Sequence, residues 1–314
     1  MQPGEGSRAA SLPRLQAVAA KARPAFLSSS PALQFILHLT EANMDTVLRA
    51  AVSPLARALR DDPRLEVIYF HRHVKPGWNL QVLFRGRGDS FEQEARDRTE
   101  SVLTPLADRG LARSWQRMEP GRAAEEIAGE AASPDIEKLF HHDTAACLDL
   151  LDCETAGGIS RSRREFSLLM TERVLGLLRF DRARRLAFYH VGHQRPFEQG
   201  TWDAKDLAML EERYSNLRDP LARLFGDGAR MDAAMLWGGE EPAAIAHRCL
   251  AACRPHLENL LEAHARGVLP VDIVPLAHLL CQRHCNRLGI DGLAEAVLRY
   301  FMFRLHQEGR IEPL

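Results

Sequence analysis

The chain has no C-x2-C pair, no Gly-rich phosphate loop, no nucleophile elbow followed by an acid and a histidine, and no His/Glu metal motif. Nucleotide-dependent, serine-hydrolase and metalloenzyme chemistry therefore have no motif to rest on. It also lacks a charge imbalance: 41 Lys+Arg face 42 Asp+Glu, a formal net charge of -1. No global field draws it to nucleic acid or an anionic membrane, so a partner must be held by local features. Apolar runs stop far short of a membrane span, and the opening MQPGEGSRAASLPRLQ lacks the basic-then-apolar profile of a secretory signal. A cytoplasmic protein with neither nucleic-acid nor membrane partners is expected. There is no internal repeat and no low-complexity tract.

What is present is ordinary globular material: 314 residues, 46% hydrophobic and 26% charged, enough to bury a substantial core. The six cysteines fall in pairs, Cys147 and Cys153, Cys249 and Cys253, Cys281 and Cys285. A spacing of four puts two sulfurs on one helix face, but CLAAC and CQRHC read as helix interiors with cysteine as a small buried hydrophobe. No metal site and no cofactor is expected.

Residues 1–30, interrupted by Pro13 and Pro24, read as a loosely ordered N-terminal arm, and 31–314 as one domain. Apolar residues recur at helical spacing from Asn43 to Arg60, ahead of Asp61-Asp62-Pro63. Leu65-Val67-Tyr69 and Leu80-Val82-Phe84 alternate across Pro76-Gly77 and predict a β-hairpin. Helices are expected over 91–110, 134–151 and 161–179, with an irregular stretch before the second, SWQRMEPGRAAEEIAGEAA. Arg185 to Val191, RLAFYHV, reads as a further strand, and the C-terminal third as helices broken at Gly267, Pro270 and Gly289. The fold class is α+β, a modest mixed or antiparallel sheet covered by many helices.

Five stretches carry a resemblance. Tyr69-Phe70-His71-Arg72, then Asn79 to Phe84, then Met118-Glu119-Pro120 through Gly129, the pair Asp143-Thr144, and finally Gln282-Arg283-His284-Cys285-Asn286-Arg287-Leu288-Gly289 follow one another in family order. This series resembles the C-terminal elimination domain of the lantibiotic dehydratases, which also occurs as a free-standing protein in thiopeptide biosynthesis. In that family the second strand carries arginines for the carboxylate of a glutamate ester, as bidentate guanidinium chemistry favours. Here Gln81 and Leu83 occupy those places, and Gln282 replaces the first histidine of the last motif, while Arg85 and Arg87 lie further along the strand.

A free-standing member without the glutamate site is similar to the thiopeptide pyridine synthases, which join two dehydroalanines of a modified peptide in a formal [4+2] cycloaddition. The resemblance implies a ribosomally made precursor as partner, with a leader and a dehydrated, azole-bearing core, and association with other enzymes of the pathway. Tyr189, His190, His284, Gln282 and Glu119, with His193 nearby, are the candidate proton donors and acceptors. Trp78, Gln81, Leu83, Trp202, Asn286 and Arg287 are candidates for substrate contact. Arg161, Arg163, Arg164, Arg184 and Arg185, with Arg182, form a basic group suited to an acidic leader. Two alternatives stand beside this: a split glutamate-elimination subunit using Arg85 and Arg87, and a non-catalytic scaffold that binds the leader.

Overall fold

The computed structural model describes residues 32–74, 77–119, 123–157, 162–225 and 240–311. The expected arm, the loop around Pro76, Trp237 and Arg161 lie outside the described residues. Four strands, β1 (Ala32–His38), β2 (Leu65–His73), β3 (Asn79–Gly86) and β4 (Ser114–Met118), form one antiparallel sheet in the order β2-β3-β1-β4. The register pairs Tyr69 with Leu83 and His71 with Gln81, and continues from Gln81 to Ile36 and from Leu83 to Gln34. Strand side chains alternate, so this register gives the sheet two different faces.

One face is apolar. Leu33, Phe35, Leu37, Ile68, Phe70, Leu80, Val82 and Phe84 are all buried in the core. They pack against α1 (Met44–Val47), the π turn Leu48–Val52, α2 (Ser53–Arg60) and α3 (Asp89–Asp108). Each such side chain contributes roughly 1.5–3 kcal/mol by leaving water. The π turn immediately precedes Pro54, which then sits in the first turn of α2, where a missing N–H costs little.

The second face carries Tyr69, His71, His73, Gln81, Leu83, Arg85 and Gln34. Two helices close over its β2 end, α4 (Ala123–Gly157) and α9 (Ile273–Leu288). Around them lie α5 (Ser162–Leu177), α6 (Arg182–Glu198), α7 (Ala204–Phe225), α8 (Glu240–Ala265) and α10 (Gly292–Gln307). The sheet expected as mixed or antiparallel is antiparallel throughout.

Three expectations need correction. The stretch expected to be irregular contributes edge strand β4 and a helix from Ala123, which breaks only at Gly129, where φ is 72°. β1 was not anticipated as a strand. RLAFYHV is not a strand but part of α6, capped by Asp181, whose carboxylate accepts from the Arg184 N–H at 2.8 Å. Its buried stripe runs through Arg185, Phe188, Tyr189, His193 and Pro196, a helical period obscured in sequence because two of its members are ionisable.

Candidate functional site

Asn286 fixes α9 against the sheet. Its Oδ1 accepts from the Arg72 N–H at 2.9 Å and its Nδ2 donates to the Arg72 carbonyl at 2.8 Å, so one side chain satisfies the main chain of edge strand β2 as another strand would. Arg287 reaches β2 two residues earlier, its Nε donating to the Phe70 carbonyl at 3.1 Å. Arg283, one turn earlier, is brought towards the second face of the sheet.

The second face at this end of the sheet has Tyr69, His71 and His73 along β2, with the His71 ring 5.4 Å from Tyr69 and 5.3 Å from Phe140 of α4. Neither His71 ring nitrogen has a hydrogen-bond partner among the described residues. Burial, and then the charges of Arg287 and Arg283, keep this imidazole neutral, well below the ordinary histidine range. Burial and Arg283 lower His73 as well. Arg283 itself has no carboxylate partner among the described residues, and burial followed by Arg287 lowers its pKa. Beside it, Gln81 accepts a hydrogen bond from Gln34 Nε2 at 3.1 Å. Leu83 is buried, and Arg85 Nη2 is paired with Glu137 at 2.9 Å.

Behind Phe140 lies a second compartment, a pocket between α4, α5, α8 and α9 with a volume of about 460 Å³ counting the space open to solvent. Its polar wall is Asp143, His284 and Arg287. Asp143 Oδ1 meets His284 Nδ1 at 2.5 Å and Oδ2 accepts from Arg287 Nη1 at 2.8 Å. Burial opposes ionisation of Asp143, but the charges and hydrogen bonds of His284 and Arg287 outweigh it and hold the carboxyl at about 2. His284 Nε2 and Arg287 Nη2 are buried and without partners among the described residues. The ligand-type atoms of Asp143, Cys147 and His284 lie within 4.8 Å of one another, a spacing a metal ion could bridge. Here the two carboxylate oxygens are already taken by the imidazole and the guanidinium, and the Cys147 thiol donates to Oδ1 at 3.8 Å. A cation there would have to displace Arg287.

The expected site residues scatter. His284 and Arg287 line the pocket. Gln81 and Leu83 lie opposite His71 and Tyr69 on the sheet, whereas Asn286 is committed to the Arg72 main chain and Gln282 is exposed. Tyr189 lies apart from both compartments: its hydroxyl donates to Glu172 Oε1 at 2.6 Å in a fully buried cluster with Arg185 and His306. His190 is exposed on α6 and touches the His193 ring at 5.2 Å. Glu119 is exposed just past β4. Trp78 is half-buried at the start of β3, and Trp202 stands edge-on to Phe197 at 5.4 Å.

The basic group is not a surface patch. Arg185 is 0% exposed and ion-paired with Glu172. Arg163 is held by Glu154 at 2.5 Å and Asp45 at 2.7 Å, and Arg182 donates to the His306 carbonyl at 2.8 Å. Among the described members of the group, Arg164, Arg182 and Arg184 are exposed. Residues that sequence reasoning passed over are Phe140, Asp143, His71, His73 and Arg283. Asp143 had a signal in the Asp143-Thr144 pair. His71 and Arg283 stood in the family segments around Tyr69 and Asn286, whereas Phe140 and His73 had no signal, and the register and the docking of α9 bring them together.

The family described as lantibiotic biosynthesis dehydratase C-term matches residues 33–306. The chain belongs to this family. Among curated proteins none matches it. Its fold is similar to the tRNA-dependent lantibiotic dehydratase MibB from Microbispora sp. 107891, with TM-score 0.68 and 18% identity over 92% of this chain. That match spans 29% of the MibB chain. It is also similar to TbtD, the pyridine synthase from thiomuracin biosynthesis, with TM-score 0.63 and 13% identity over 89% of this chain and 98% of TbtD. TsrL gives TM-score 0.63 and 15% identity over 89% of this chain and 95% of its own. No helix among the described residues is long and apolar enough to cross a membrane.

Proposed function

We propose that this family member is an enzyme of the pyridine-synthase kind, acting on a dehydrated, azole-bearing precursor peptide. One observation carries the reading: at the strand positions where the family resemblance places carboxylate-holding arginines, the sheet face has Gln81 and Leu83, and the next arginine along, Arg85, is paired with Glu137. Leu83 cannot hold an anion, and Gln81 offers only neutral hydrogen bonds. The likeness in extent to TbtD, 98% of whose chain is matched, supports it.

In the proposed reaction one dehydroalanine serves as a two-carbon alkene. The other, with its preceding amide as the iminol tautomer, serves as a 2-azadiene. Bonds form between the two methylene carbons and between the former amide carbon and the α-carbon of the first. Loss of water, then of the leader as a carboxamide, makes the ring aromatic. Holding both alkenes of one peptide in contact can supply up to about 7–11 kcal/mol of the barrier. The neutral His71 imidazole can exchange an amide proton, and Arg283 can donate to the carbonyl oxygen that becomes the hydroxyl. Neither step needs a cofactor.

A second reading, glutamate elimination, has one observation in its favour, the unpaired Arg283 beside Tyr69, His71 and His73. Mass spectrometry on two substrates separates them. A linear peptide with two dehydroalanines should lose water and leader and close to a macrocycle, while a glutamylated seryl peptide should remain unchanged. Release of glutamate without cyclisation would overturn the proposal in favour of the second reading, and Arg283→Met should then abolish it.

A further inference from the structure

The pocket behind Phe140 is lined by none of the strand residues at which the reaction is proposed, and its chemistry is different. Its walls are apolar and rich in polarisable sulfur: Phe140 and Leu280 stand with Met170, Cys249, Cys253 and Cys281. Such surfaces suit a flat aromatic group. On the polar wall both cationic groups are already engaged by one carboxylate, Asp143, which meets His284 at 2.5 Å and Arg287 at 2.8 Å. A ligand carboxylate would find no unpaired cation there and would lie beside Asp143. A ligand with no polar atom would leave two buried groups unsatisfied, which costs roughly 1–3 kcal/mol for each.

Those groups are specific in what they ask for. Arg287 Nη2 can only donate, so the ligand must present an acceptor. His284 is oriented by Asp143 through Nδ1, which leaves Nε2 as the atom without a partner on the pocket wall. Both residues are more than nine-tenths buried, with relative exposures of 6% for His284 and 1% for Arg287. They are therefore fixed before any ligand arrives.

We infer that the pocket is a subsite for a small, flat, uncharged ring carrying a hydrogen-bond acceptor. The ring is borne by the peptide substrate, and only this attribution rests on the function proposed above. Arg287 Nη2 binds the acceptor, the sulfur-lined wall packs against the ring faces, and the Asp143 carboxylate beside it disfavours an anionic side chain.

The test uses the intact protein and three probes of similar size, 4-methylthiazole, toluene and benzoate, followed through the imidazole nitrogen signals of His284 by NMR. Saturable shifts are expected with 4-methylthiazole, at least tenfold tighter than with toluene or benzoate. Leu280→Phe, which narrows the pocket from α9, should weaken binding tenfold or more with unchanged circular dichroism. Val174→Phe, on α5, repeats the test if the first variant does not fold. Unmoved His284 signals, equal affinity for toluene, or preference for benzoate would each overturn the inference. Macrocycle formation is assayed separately, so ring closure without probe binding removes the subsite alone, and probe binding without ring closure removes the proposed function alone.

Discussion

Asp143 is held at about 2 against an ordinary value of 3.8, because His284 and Arg287 outweigh the cost of its burial. A carboxyl depressed in the folded state stabilises above its unfolded value, and that contribution is lost as pH falls from about 4 through 2. It amounts to on the order of 2 kcal/mol. Asp143→Asn should flatten this part of a urea-stability profile. It should also cost about 3–5 kcal/mol at neutral pH, since Arg287 would be left buried without its counter-charge. A profile unchanged between pH 4 and 2 would show that Asp143 is not the group titrating. Leu83 makes the complementary case. It is 4% exposed and directly opposite Tyr69, on which the charge of Arg283 already acts. Leu83→Arg should therefore cost several kcal/mol in desolvation and like-charge repulsion. It should impair macrocycle formation without conferring glutamate release, both readable by mass spectrometry.

Docking of helices onto the sheet and onto one another turns these residues into a site, and two contacts measure it. Asn286 is the only side chain described as bridging both main-chain groups of Arg72. Asn286→Ala should lower stability by roughly 2–4 kcal/mol through two orphaned groups, and Asn286→Asp, which keeps the acceptor, by less. Gly192 on α6 meets α10 so closely that a Cβ would lie 2.2 Å from Arg299 Cδ. Arg299 cannot move aside freely, because Glu295, His278 and the Phe188 ring hold it. Gly192→Ala should cost about 1–3 kcal/mol, visible as a lower melting temperature.

These contacts also show what the sequence could reveal. The hairpin was legible because β2 and β3 alternate apolar residues, and the last motif because His284, Asn286 and Arg287 keep family spacing. α6 was misread because its buried stripe includes Arg185 and His193, whose partners Glu172 and Tyr189 lie elsewhere in the chain or on the same helix. The site was legible in part, through Gln81 and Leu83, but His71 and Arg283 are more than 200 residues apart, and the contacts of Asn286 and Arg287 with β2, across 214 and 217 positions, bring them together.

The molecule as a whole is built around histidines kept neutral. Burial lowers His141, His142 and His193 to about 4 and His278 to about 3, with neighbouring positive charges adding to the effect for His141, His142 and His278. Each accepts a proton near 6.5 when unfolded. The folded-state values are depressed, so their contribution is complete above pH 6.5 and is lost progressively as pH falls through about 4. Folding stability should therefore decline across a window in which exposed carboxylates have barely begun to titrate, before Asp143 is reached. His278 is the clearest reporter, because its Nδ1 lies 2.7 Å from Arg299 Nη1 and must remain an acceptor for that hydrogen bond. Protonation breaks the bond and places a second positive charge beside a buried guanidinium. His278→Gln retains an acceptor without the titration, so it should leave stability at pH 7.5 little changed while making the decline between pH 6.5 and 4 shallower. Urea midpoints at half-unit pH steps measure both. A parallel offset of the two profiles, with no change of slope, would mean that His278 is already charged in the folded protein and that the Arg299 contact is maintained in another way.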